Sequence, residues 1–143
     1  MDSGKPDFSL LDHTADMGIL VRGINLKNLF EEAAKSMMYI MLTQTPGLKA
    51  THAVKVSIKG ADLPDLMVRW LGEILYLFEG EKTVVTDTFV SAIFPSRLEA
   101  KLQTIPFDPA FHEILREIKA VTYHQIEVEE KDDRWEARII FDL

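Results

Sequence analysis

AVKVSIKGADLPDLMVRWLGEILYLFEG, residues 53–80, changes its hydrophobic period once, and that change decides the fold class. From Ala53 to Ile58, the apolar Val54, Val56 and Ile58 alternate with Ala53, Lys55 and Ser57, the period of two of a strand buried on one face. After Asp62 the spacing becomes three and four. Leu66, Met67, Trp70, Leu71, Ile74, Leu75, Leu77 and Phe78 then share a broad apolar helical face, with Asp62 as N-cap and Pro64 in the first turn. This is expected to be the central helix, closed by Glu79-Gly80.

Outward from there, Phe8–Leu11 and Gly18–Gly23 read as short strands around the polar stretch Asp12-His13-Thr14-Ala15-Asp16. Asn25 caps a second amphipathic helix carrying Leu26, Leu29, Phe30, Ala33, Met37, Ile40 and Met41. It runs to about Leu42, before Thr45-Pro46-Gly47. Its methionines, Met38 among them, read as core rather than as a partner groove. Toward the C-terminal side, Val84–Phe94 and Arg97–Thr104 are strands joined around Pro95-Ser96, and Leu98, Ala100 and Leu102 alternate with Glu99, Lys101 and Gln103. Ile105–Arg116 is read as loop. Val121–Glu129 and Trp135–Asp142 are strands around the charged connection Lys131-Asp132-Asp133-Arg134. The order predicts an α+β fold of mostly antiparallel sheet packed with two main helices. Residues 8–143 form its single domain, after a loose tail at 1–7.

Composition narrows the function classes. The chain has 143 residues, 47% of them hydrophobic, which suffices for one core but not for two independent domains. Sixteen Lys and Arg against 23 Asp and Glu give a net charge of −7, which opposes phosphate backbones and anionic lipid over the surface as a whole. No direct nucleic-acid contact is expected, although a local basic patch stays open. With no Cys, disulfides, thiolate zinc sites and Cys nucleophiles are excluded, and a reducing cytoplasm fits. The first residues contain no apolar signal region and no stretch is long enough to span a membrane, so a soluble, unexported, cytoplasmic chain is expected.

The candidate chemistry lies in carboxylates and histidines. Asp142 precedes Leu143, whose α-carboxylate is a second anionic oxygen donor, and like charges this close repel unless separated or bridged. Oxygen donors favour a hard cation such as calcium or magnesium, and the first loop adds Asp12 and Asp16. The bland alternative remains open: a solvated chain end, and loop aspartates that cap turns. His13 and His124 invite a proton-transfer or metal role, against the plainer reading of a satisfied structural histidine. Lys119 is the only cation between Ile118 and Ile126 and can meet an anionic partner or remain a solvated lysine. No glycine-rich phosphate loop or Ser, His and Asp arrangement stands out.

Three motifs in order resemble the archease family: Asp12-His13-Thr14-Ala15-Asp16-Met17-Gly18-Ile19, then Lys119-Ala120-Val121-Thr122-Tyr123-His124, then Ile140-Phe141-Asp142-Leu143. The similarity also runs through Glu31-Glu32-Ala33-Ala34, Trp70-Leu71-Gly72-Glu73-Ile74-Leu75 and Asp108-Pro109-Ala110-Phe111-His112, covering nearly everything after residue 7. One departure is Arg134 before Trp135, where the family's hairpins often have Gly. The resemblance implies a non-enzymatic protein cofactor that promotes guanylylation and turnover of an RtcB-type RNA ligase in tRNA splicing. It also implies a divalent ion, calcium or another such as magnesium or manganese, held by Asp16, Asp142 and Leu143. Lys119, and with it His13 and His124, is then expected at the ligase contact. Two rivals are a metal-dependent hydrolase using His13 or His124 as base, and a chaperone-like modulator of an RNA methyltransferase, also implied by the family.

Overall fold

Two helices link two antiparallel sheets, each helix touching strands of both. The structure, a computed structural model, describes residues 5–11, 16–44 and 47–143. In chain order its elements are β1 (Phe8–Leu11), β2 (Met17–Gly23), α1 (Leu26–Met41), β3 (His52–Lys59), α2 (Leu63–Glu81), β4 (Thr83–Phe94), β5 (Arg97–Pro106), β6 (Ala120–Val121), β7 (Glu127–Lys131) and β8 (Arg134–Asp142). The first sheet runs β1-β2-β8-β6, and β7 also pairs with β8. The second sheet is β3-β5-β4. The α+β reading, with one domain and two main helices, holds.

Both helices open with reciprocal side-chain caps, because each first turn leaves backbone N–H groups without helical partners. Asn25 accepts the N–H of Asn28 at 2.8 Å, and the Asn28 side chain accepts the N–H of Ile24 at 3.0 Å. Asp62 accepts the N–H of Asp65 at 2.9 Å, and Asp65 accepts the N–H of Ala61 at 2.8 Å. The apolar faces then meet in one core. Trp70 is fully buried, and its indole N–H donates to the Phe30 carbonyl of α1 at 2.9 Å. Ile19 and Val21 of β2 and Ala137, Ile139 and Phe141 of β8 close the core from the first sheet, while Leu98 and Leu102 of β5 close it from the second. Each such large side chain contributes about 1.5–3 kcal/mol on burial. Gly23, where β2 abuts α1, has no room for a side chain: a Cβ there would stand 2.5 Å from the Leu29 nitrogen.

Several expectations need correction. The strand expected over Val121–Glu129 is broken: β6 ends at Val121 and β7 begins only at Glu127. Thr122 donates both its N–H and its hydroxyl to the Ile140 carbonyl, each at 3.0 Å, and Gln125 takes a left-handed φ of 53°, so the chain turns out before β7 begins. Glu79-Gly80 does not close α2, which continues to Glu81. Lys82 provides the left-handed cap at φ 52°, its N–H shared by the Leu77 and Phe78 carbonyls. Nor do residues 5–7 hang loose: Pro6 is buried, the Asp7 carbonyl accepts the N–H of Arg22 at 3.0 Å, and the Asp7 N–H reaches Glu32 at 3.2 Å. The Ile105–Arg116 segment is a loop after β5, which extends to Pro106. It carries one bridge, Leu42 with Ile114. In the hairpin before β8, Asp132 takes the left-handed place at φ 57°, which a short Asx side chain tolerates, so Arg134 needs no glycine.

Candidate functional site

Strand β8 ends between β2 and β6, and its register gathers residues that are far apart in sequence. Met17 pairs with Phe141 on one side, and Ala120 pairs with Asp142 on the other. Asp16 immediately precedes β2, next to the Met17–Phe141 pair. Asp142 belongs to the same alternating set as Ile140, on the side of the sheet away from Ile139 and Phe141. On the β6 side, the Lys119 N–H donates to the Asp142 carbonyl at 2.8 Å. Ile118, fully buried, anchors the preceding residue, so an exposed Lys119 is held at the end of β8 by its own backbone.

Leu143 follows the opposite alternation. Its side chain packs against the core beside the Phe141 set, so its identity bears on where its carboxyl group sits. Lys119, Asp142 and Leu143 are thus neighbours at this end of the sheet, and Asp16 is the residue before β2. His124 lies two residues beyond Thr122 in the turn after β6, with its N–H 3.3 Å from the Thr122 hydroxyl, and is exposed. Asp12 and His13 lie outside the described residues. Among the described residues, no group of three or more His, Cys, Asp or Glu side chains is placed to hold one metal ion. The groups that the sequence nominates are two carboxylate side chains, Asp16 and Asp142, together with Leu143. These are oxygen donors only, and they suit a hard cation.

Sequence reasoning missed the residues that hold this end of the molecule in shape. The Tyr123 hydroxyl donates to Asp65 at 2.7 Å across 58 positions of sequence, tying the turn after β6 to the first turn of α2. Asp65 also accepts from Ala61 and, at 2.9 Å, from the Arg69 guanidinium. The Tyr123 bond, then the Ala61 N–H and Arg69, lower the Asp65 pKa to about 2. The same bond to Asp65, with burial adding to it, raises the Tyr123 phenol above its ordinary value of 10.0. Only the capping position of Asp65 was a signal in the sequence. His112 is the other omission: it is buried, stacked on Phe107 with ring centroids 5.5 Å apart, and its Nδ1 lies 3.0 Å from the Asp108 nitrogen. Its Nε2 has no hydrogen-bond partner among the described residues.

Residues 8–143 match the archease protein family (MTH1598/TM1083). The chain belongs to the archease family. It is 35% identical to Protein archease of Methanosarcina acetivorans over the full length of both chains. It is 32% identical to that of Sulfurisphaera tokodaii, over 95% of this chain and 98% of the relative. Among solved structures it resembles Methanobacterium thermoautotrophicum protein 1598, at 29% identity and a TM-score of 0.78, covering 95% of this chain and 98% of that one. A Thermotoga maritima structure described as "an archease, possible chaperone" shares the fold at 18% identity and a TM-score of 0.61, covering 93% and 94%. Among the described residues, no helix is long and apolar enough to cross a membrane.

Proposed function

We propose that this archease-family chain is a non-enzymatic protein cofactor of an RtcB-type RNA ligase, acting in the cytoplasm to promote ligase guanylylation and turnover in tRNA splicing. What supports this reading is the family membership over residues 8–143, together with the β2-β8-β6 pairing, which puts Asp142 beside the Lys119 backbone and next to the strand that Asp16 precedes. A divalent cation, calcium in the first instance, would be held by Asp16, Asp142 and the carboxylate of Leu143. It would supply compensation for charges that otherwise repel across neighbouring strands. The chain's own residues do the rest. Phe141 and Leu143 hold the end of β8 against the core, and the Lys119 N–H fixes the Asp142 backbone. Lys119 and His124, both exposed, are assigned to the ligase contact, and His13 with them. Stabilising a guanylylation-competent form of the ligase requires only that this surface bind that form better.

The test is ligase guanylylation with and without the protein under limiting divalent metal. Faster nucleotide transfer, lost in Asp142→Asn and Lys119→Ala, supports the reading, and equal turnover in all four samples rejects it. Calorimetry with calcium isolates the metal part. Asp16→Asn and Asp142→Asn each weaken binding, as does a tag appended after Leu143, whereas unchanged affinity in the tagged protein removes Leu143 from the ligand set. A chaperone-like role, the wording attached to the Thermotoga maritima structure, instead predicts suppressed aggregation of a client such as an RNA methyltransferase, with no effect on ligation.

A further inference from the structure

The solvent face of the β3-β5-β4 sheet has a composition at odds with the rest of the molecule. Cross-strand partners share a face, so the two registers assemble rows that run across all three strands. One row is Lys55, Lys101 and Phe89, and another is Lys59, Arg97 and Phe94. Between them lie Ser57, Glu99 and Ala92, and beyond the first lie Ala53, Gln103 and Asp87. Four cations therefore face two carboxylates here, on a chain whose net charge is −7. Both carboxylates are already engaged: Glu99 accepts the Ser57 hydroxyl at 2.8 Å and lies 3.7 Å from Arg97, while Asp87 accepts the Thr88 N–H at 2.9 Å and lies 3.9 Å from Lys35. Among the described residues, Lys55, Lys59 and Lys101 are in no salt bridge.

The aromatics are placed there by a device. Phe89 and Phe94 are five residues apart, which in a regular strand sends them to opposite faces. The bulge between Val90 and Ala92 adds one residue and returns both to the solvent side, 62% and 48% exposed. The Val90 N–H beside that bulge is accepted by Glu31 of α1 at 2.8 Å, so the irregularity is held from behind. Arg97 already lies over the Phe94 ring, 5.0 Å from its centroid. Exposing two phenyl rings next to unpaired lysines does not serve the core, and an acidic peptide would need only the charges. Cations beside flat π faces on an open sheet suit unstacked bases joined by phosphates.

We propose that this face binds single-stranded polynucleotide, its phosphates along Lys55, Lys59, Lys101 and Arg97 and its bases on Phe89 and Phe94. The inference goes beyond the ligase reading and does not depend on it. The test is fluorescence anisotropy of the whole protein with a labelled uridine oligomer of about 12 nucleotides, without ligase, across a salt series. Saturable binding is expected, with log K falling against log salt with a slope of about −3 for four contacts. Phe89→Ala and Phe94→Ala should each weaken binding about fivefold or more at unchanged slope, and Lys101→Gln should flatten the slope by about 0.7. All three positions are exposed, so thermal midpoints should stay near that of the parent protein. Absence of binding by the unsubstituted protein overturns the proposal, as does binding that both phenylalanine variants retain. Equal displacement by poly-glutamate also overturns it, by making the face an acidic-peptide site. Because the assay contains no ligase, its failure leaves the guanylylation experiment to stand or fall alone.

Discussion

Replacing Trp70 by Phe tests how α1 and α2 are joined. The substitution keeps an aromatic ring at a fully buried position but removes the N–H that reaches the Phe30 carbonyl at 2.9 Å. That carbonyl lies inside α1 and keeps its own helical bond from four residues on, so it is not left bare in the core. The loss on this account is therefore near the net value of one hydrogen bond, about 1 kcal/mol, rather than a full desolvation penalty. The smaller ring leaves unfilled volume among rigid neighbours and adds about 1–2 kcal/mol. Together the cost is about 2–3 kcal/mol, which at a urea dependence of about 2 kcal/mol per molar lowers the midpoint by about 1–1.5 M with the slope unchanged. Trp135, half-buried on β8, remains as the fluorescent reporter. A midpoint shift under about 0.3 M would refute the reasoning, since neither the bond nor the packing would then contribute as argued.

Acid should loosen the tie between the β6 turn and α2. The Asp65 pKa is lowered from 3.8 to about 2, so its stabilisation is complete above the unfolded value and is lost as pH falls from about 4 to 2. Urea midpoints followed over that range should flatten in Asp65→Asn, and a parallel decline in both proteins would deny the link. At the alkaline end, the folded phenol of Tyr123 titrates above 10.0, so its contribution is present below that value and fades above it. Ultraviolet titration should show one tyrosine displaced upward, and less displaced in Asp65→Asn, where burial still acts on it. Gly23→Ala drives a methyl into the Leu29 backbone and should cost about 3 kcal/mol or more, whereas a small change would mean that α1 shifts freely. Gly80→Ala meets only the Tyr76 ring, which is 57% exposed and can swing aside, so melting should rise by the equivalent of about 0.5–1 kcal/mol.

Local rules made much of this fold legible. The period change between Ile58 and Leu66, and the caps at Asn25 and Asp62, lie in consecutive residues, and the structure follows them closely. Val121–Glu129 was misread because β-branched residues there satisfy strand preference, while the break depends on Ile140 and Asp65, partners absent from the local window. The left-handed cap fell on Lys82 rather than on Gly80 for a related reason: Leu77 and Phe78 remain in the core and hold the helix through the glycine. At the candidate site, residue types were visible at Asp16, Lys119 and Asp142, but the placing of Lys119 beside Asp142 depends on the pairing of β6 with β8, which no local window contains. The basic and aromatic rows were still less accessible. Lys55 and Lys101 show their alternation, yet only a bulge in β4 tells on which side Phe94 will lie.

The pairing of β2 with β8 joins residues 17–23 to residues 135–141. Contacts between such distant segments form slowly, because a long loop must close before any of them is rewarded. During translation, β2 emerges from the ribosome long before its partner, leaving a hydrogen-bonding edge and the apolar side of α1 without cover until β8 has been made. The end of β8 is thus put in place last, and a prematurely stopped chain would present a sticky intermediate.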